Sequence, residues 1–326
     1  MDNKKILTGI FSAVGMCILI LDSHTALDGC KSGLELCART VIPSLFPFLW
    51  TNTLLNNSLA GQKIPFLDYV SSYFCYPKSC SSIFIGSVLG GYPAGAQAVG
   101  LCYQSGIINR QQSEKLLAVS NNAGPAFIFG LVGHMFSNPS TAWVLWMIQL
   151  LSAMIVGRIL LSNTPSASAS IIKKPNNISS IECSVRSILN ICGWIIIFRT
   201  VIAFAAKWIL PTVSSTLYAT VAGLLELSNG CCLLGIIDNE SVRFVLCSVL
   251  LSFGGICVFM QTISVTKGLR LHYYLGGKLT QSLFSFLLSI LYNLNPVFLY
   301  TAAALIISIN GLKTKNNCRK AYPLRV

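Results

Sequence analysis

Apolar runs of about 20 residues, the length an α-helix needs to cross a hydrocarbon core, follow one another along almost the whole chain, separated by short polar segments. They predict eight spanning helices, at Ile6–Leu21, Leu36–Leu55, Leu116–Met135, Ala142–Leu161, Val185–Leu210, Leu217–Ile237, Leu271–Leu291 and Pro296–Ile309. Ile83–Leu101 and Val242–Val265 are two further apolar segments. Pro43 and Pro47 kink the second span. Asp22–Lys31 reads as a polar loop and Gln62–Ser82 as an interfacial segment. Met1–Lys5 and the first apolar run resemble the start of a secretory signal, with a cleavage site conceivable near Ala26. The many spans that follow favour an uncleaved first helix.

Several apolar segments are interrupted by residues a membrane helix tolerates poorly. One carries Gly90-Gly91-Tyr92-Pro93-Ala94-Gly95-Ala96-Gln97, and the next carries Asn121-Asn122-Ala123-Gly124-Pro125. Further on come Glu226-Leu227-Ser228-Asn229-Gly230 and Gly254-Gly255 with Gln261. Gly and Pro break the hydrogen-bond ladder, and Asn and Gln bring donors and acceptors. In lipid, such backbone survives only where protein buries it or where it lines a polar cavity. Paired broken segments point to a binding site near the midplane of a transporter.

Composition agrees: 53% of the 326 residues are hydrophobic and 10% charged, with mean hydropathy +0.67, whereas soluble domains carry roughly 25% charged residues. The fold class is therefore an all-α polytopic membrane protein, about eight transmembrane helices plus two re-entrant segments. The net charge of +13 is scattered through short loops and the tail, which marks topology rather than nucleic-acid binding. The thirteen Cys sit mostly singly in apolar runs and imply neither a disulfide framework nor a metal site.

The Ser-, Asn- and Pro-rich stretch 162–182, with Lys173-Lys174, separates a membrane half at 1–161 from another at 183–312, followed by a basic, structureless tail at 313–326. If Ile83–Leu101 and Val242–Val265 both re-enter, almost all loop Lys and Arg fall on the cytoplasmic side, including Lys63, Lys78, Arg110, Lys115, Lys267 and Arg270. A faint repeat accompanies this, because Gly90-Gly91 with Gln97 recurs as Gly254-Gly255 with Gln261. An inverted repeat brings its hairpins in from opposite faces, which conflicts with that charge assignment.

Glu226 is the sharpest single residue, a carboxylate in mid-span. It could hold a coupling cation, carry a proton, or pair with Arg199 in the preceding span; a static hydrogen-bonded acid is the plainer reading. Lys207 reaches the interface by snorkelling, Arg199 does not. The three His are far apart and no nucleophile–base or metal motif is present, so no catalytic residue, metal or cofactor is assigned beyond a coupling H+ or Na+. The chain is not read as an enzyme.

GGYPAGAQ, NNAGPAFIFGLVG, GLLELSNG and SFGGICVFMQ, in this order, resemble the nucleoside-recognition (Gate) domain and, over the whole chain, the YlbJ-like sporulation integral membrane proteins. Ala94 stands where the family more often has Val, and Gln97 where Lys is commoner. The resemblance implies a multi-pass bacterial inner-membrane protein, in a sporulating cell the outer forespore membrane, with dipicolinate as the solute. The Gate motif instead implies nucleosides. On either solute the binding residues are Gly91, Tyr92, Pro93, Gly95, Gln97, Asn121, Asn122, Gly124, Pro125, Arg199, Glu226, Ser228, Asn229, Gly254, Gly255 and Gln261. A non-transporting membrane scaffold is the reading from a different class. Partners are the bilayer and a small solute, with a homo-oligomer left open.

Overall fold

The computed structural model describes residues 3–59, 62, 64–77, 80–161, 179–208 and 212–321, with side chains described for all of these but 3–5, 56 and 313–321. Lys63, Lys78, Lys173-Lys174 with most of the predicted linker, and the end of the tail lie outside the described residues. Every regular element among the described residues is helical.

Helix α1 (Asn3–Leu21) turns through 98° into α2 (Ser23–Leu36). The predicted loop at Asp22–Lys31 is thus mostly helix: the Asp22 carboxylate accepts from the Thr25 amide and caps α2. A π-helical turn at Cys37–Val41 leads into α3 (Ile42–Leu59), which carries Pro47 internally. Pro removes a helical donor and crowds the preceding turn. The short α4 (Pro65–Ser72) precedes α5 (Ser81–Leu89) and α6 (Ala94–Gln104), separated by the Gly90–Pro93 break. Next, α7 (Arg110–Ser120) opens with an Asn109/Gln112 capping box. After the extended Asn121–Gly124 the helix resumes as α8 (Pro125–Phe127) and continues in π and 3-10 turns to Met135. Helix α9 (Ser140–Leu161) closes the first half.

The second half starts with α10 (Ser180–Trp208), which packs along α2 and α3, so the two halves interlock. Then come α11 (Ser215–Leu225), α12 (Leu227–Leu234), α13 (Glu240–Phe253), α14 (Gly255–Val265), α15 (His272–Leu294) and α16 (Pro296–Ala321). The basic residues after Gly311 continue α16 to Ala321, where a structureless tail is predicted.

Among the described residues four helices are long and apolar enough to cross a membrane: Arg110–Met135, Ser140–Leu161, Ser180–Trp208 and Glu240–Val265. Counting α1 with the bent Ser23–Leu59 as one span makes five. This is a helical, multi-pass membrane protein. It also corrects the predicted re-entry of Val242–Val265, which is one candidate span broken at Gly254-Gly255.

The reversal lies instead at Leu217–Ile237, predicted as a full span. Gly223 and Gly230 lie backbone against backbone, whereas seven residues of straight helix rise about 10 Å. Helices α11 and α12 therefore form a hairpin. So do α5 and α6: a Cβ on Gly95 would sit 3.3 Å from Ser87 Cα, although eight helical residues rise about 12 Å.

Polar contacts sort the helix ends. At one end the Arg270 amide donates to Glu114 Oε1 (2.9 Å), Asn57 donates to Ser180 Oγ (3.2 Å), and Gly100 on α6 lies against the Val265 carbonyl. At the other, Lys207 Nζ meets Asp22 Oδ2, the Ser137 amide donates to Glu240 Oε1 (3.0 Å), and Arg243 donates to the Gly235 carbonyl (3.1 Å). The α5–α6 hairpin is rooted at the first end and α11–α12 at the second. The single-face arrangement inferred from charge is thereby corrected. A core of Leu145, Ile148, Cys247, Leu250 and Leu288 joins α9, α13 and α15, seamed by Ser152, Ser252 and Ser285 as small polar residues do between membrane helices.

Candidate functional site

Two hairpin tips and two span breaks meet in the middle of the molecule. At the first tip Gly91 has φ 72° and lies so close to Gly124 that a Cβ would fall 2.7 Å from the Gly124 nitrogen. Only glycine fits that left-handed turn at that contact. Next to it the Tyr92 hydroxyl donates to the Leu251 carbonyl (3.0 Å), one of those left free where α13 ends. Gly254, with φ 87°, is that end: a side chain there would meet the Tyr92 ring at 3.0 Å. Gly255 in turn faces the Gly223 and Leu224 carbonyls of the second hairpin.

A cavity of about 60 Å³ opens where these pieces meet. Its polar lining is Thr40, Ser44, Tyr92, Glu226, Ser228 and Gln261, with Gly124 and apolar side chains such as Val41, Phe127, Ile195 and Val258 completing the wall. A water needs roughly 10–15 Å³ of such space, so this is room for a few waters.

Glu226 is the one-residue link between α11 and α12, in extended conformation and only 3% exposed. Its carboxylate folds onto the start of α12: Oε1 accepts from the Ser228 amide (2.9 Å) and Oε2 from the Asn229 amide (2.7 Å). The negative charge thus meets the positive end of a helix dipole. The sequence also offered a Glu226–Arg199 pair. Arg199 instead donates through one terminal nitrogen to Asn229 Oδ1, while its Nε is buried without a partner. The arginine therefore approaches the carboxylate only through Asn229.

On the far side of Tyr92, the extended Asn121–Gly124 carries a second polar cluster. Asn121 Nδ2 donates to Thr262 Oγ1 (2.9 Å) and the Tyr274 hydroxyl (3.0 Å). Asn122 Oδ1 accepts from Lys278 Nζ (3.1 Å) and Gln281 Nε2 (2.9 Å). Lys278, 1% exposed, is a functional candidate that the sequence reading missed, as are Gln281, Gln149, Thr40 and Ser44. A lysine in the middle of Leu271–Leu291 was visible on the same grounds that singled out Glu226.

Other predicted residues hold the frame. Pro93 precedes α6 and Pro125 opens α8. Gly95 packs against the Ser120 carbonyl. Gln97 faces away from the cavity, donating to Cys183 Sγ (2.9 Å), whereas Gln261 lines it and donates to Cys257 Sγ (3.3 Å). The repeat pairing of these two glutamines therefore fails in space. Gly90-Gly91 is a hairpin tip and Gly254-Gly255 a span break.

Over 142 residues the chain is 28% identical to the "Sporulation integral membrane protein YlbJ" of Bacillus subtilis (strain 168). The match takes in 43% of this chain and 35% of that protein, so the chain spans about a third of its relative's length. No family model matches, and the likeness to the Gate domain rests on the four motifs. No solved structure matches either.

Proposed function

We propose that the chain is a secondary carrier that moves a small anionic solute across a bacterial inner membrane during sporulation. The observation that carries this reading is the convergence of four chain interruptions on one cavity, the pattern by which carriers build midplane sites. Among the described residues Glu226 is the charged side chain that lines that cavity, and Arg199 approaches it through Asn229. An anionic solute would compete with the Glu226 carboxylate for the start of α12 and for Arg199.

The membrane frame of the proposal has eight crossings: α1, α2–α3, α7–α8, α9, α10, α13–α14, α15 and α16. The hairpins α5–α6 and α11–α12 enter from opposite faces. Each half then runs long helix, hairpin, broken span, straight helix, an inverted repeat. With the amino terminus inside, Arg110, Lys115, Lys267 and Arg270 all lie on the cytoplasmic side. On the other side are Lys207, tied to Asp22, Arg243, and Lys31 in the outer half of the α2–α3 crossing.

The name of the Bacillus relative favours a role in sporulation, and the motif resemblance implies dipicolinate as the solute and the outer forespore membrane as the place. A nucleoside would use Gln261, Ser228 and Thr40 instead. The small volume of the cavity favours a second reading, a scaffold that transports nothing. Complementing a deletion strain with the wild-type chain or Glu226→Gln tests the proposal. Low dipicolinate in spores of the deletion and of the variant is expected. Normal dipicolinate in the deletion spores contradicts the assignment, and a variant as good as wild type supports the scaffold.

A further inference from the structure

Lys278 has no carboxylate partner among the described ion pairs. Its Nζ lies 2.8 Å from Gln281 Oε1 and 3.1 Å from Asn122 Oδ1, over the faces of Tyr92 (5.3 Å) and Tyr274 (5.9 Å). Two more amide oxygens of the same cluster, Asn121 Oδ1 and Gln149 Oε1, are buried without a donor. The amide nitrogens are already used as donors. Asn122 Nδ2 donates to the Val119 carbonyl, Gln281 Nε2 to Asn122 and the Gln149 carbonyl, and Gln149 Nε2 to Leu251. The cluster therefore turns oxygens and ring faces inward, which suits a cation and repels an anion.

It also sits at the break between α7 and α8. Broken helices in carriers place a coupling sodium ion among such oxygens. We infer that the Lys278 ammonium is a built-in cation that fills this place, so that the protein neither binds nor requires an alkali-metal ion. A metal ion sharing these oxygens would stand within contact distance of the ammonium and be repelled. Removing the ammonium leaves an oxygen-lined seat open. The inference rests on the carrier reading only for its consequence in transport.

The test uses the purified full chain in detergent. Equilibrium dialysis of the wild type against labelled sodium is expected to show no bound ion, and its unfolding midpoint is expected to be the same in sodium, potassium and choline chloride. Lys278→Ala is expected to gain a sodium-specific midpoint rise that saturates with concentration. One sodium bound per wild-type chain overturns the inference, as does a variant that responds to sodium no differently from wild type. If Lys278→Ala does not fold, the dialysis of the wild type decides. In proteoliposomes, uptake that survives replacement of sodium by choline supports the inference, and uptake that stops overturns it. Absence of uptake in every salt counts against the carrier reading, and the role of Lys278 is then decided by the dialysis alone.

Discussion

The hydroxyl of Tyr92, at the tip of the first hairpin, donates 3.0 Å to the carbonyl of Leu251, near the break of the last broken span. One side chain thus fastens an element of the first half to the interruption in the second. Among the described residues the acceptor is otherwise met only by Gln149 Nε2 at 3.5 Å. Tyr92→Phe keeps the ring against Gly254 and removes this bond. A loss of about 1–2 kcal/mol is expected, read as a lower unfolding midpoint in detergent. An unchanged midpoint would mean that this bond adds nothing to the packing of α10 on α2 and α3 that also joins the halves.

Glu226→Gln tests the cap. A glutamine offers one oxygen where the carboxylate offers two, so either the Ser228 or the Asn229 amide loses its acceptor. Cap losses cost about 0.5–2 kcal/mol, and the variant is expected to unfold earlier by that much. Glu226→Ala, which loses both bonds, is expected to fall further; equal stability of all three proteins would contradict the capping role.

The hairpin crossings test the glycines. A methyl at Gly230 would overlap the Gly223 backbone, and one at Gly95 the Ser120 carbonyl. Backbone yields less readily than side chains, and overpacking costs about 1–3 kcal/mol. Gly193 has open space around its Cβ position. Gly230→Ala and Gly95→Ala should therefore lower the midpoint while Gly193→Ala does not, a contrast measurable in one set of melts.

Topology is testable by labelling. Gln104 is exposed at the root of the first hairpin and Asp238 at that of the second. In a cysteine-free background, Gln104→Cys and Asp238→Cys are expected to react with an impermeant thiol reagent from opposite faces of the membrane. Labelling from the same face would restore the arrangement that charge alone suggested.

The reading of the sequence located the interruptions but not their geometry. Gly, Pro, Asn and a mid-span Glu are visible as poor membrane-helix residues wherever they occur. Whether the chain then turns back or runs on depends on what the break packs against. At Glu226 a single extended residue reverses the chain because Gly223 and Gly230 let the helices touch. At Gly254-Gly255 two successive glycines of positive φ leave the span running on. Composition does not separate these cases. Asp22–Lys31 failed for a different reason: its polar residues face outward on a helix whose glycines, Gly29 and Gly33, pack on α10. Lys278 was legible by the rule that picked out Glu226, and Gln281 three residues on shares its helix face.

The central claim, that the four interruptions enclose a carrier site, is tested most directly by uptake in proteoliposomes. Labelled dipicolinate would be offered to the wild-type chain, with unlabelled nucleoside as competitor. Accumulation against empty liposomes, unaffected by the nucleoside and lost in Glu226→Gln, is the predicted result. No accumulation of labelled dipicolinate, nor of labelled nucleoside in a parallel assay, by protein shown to be folded would contradict it.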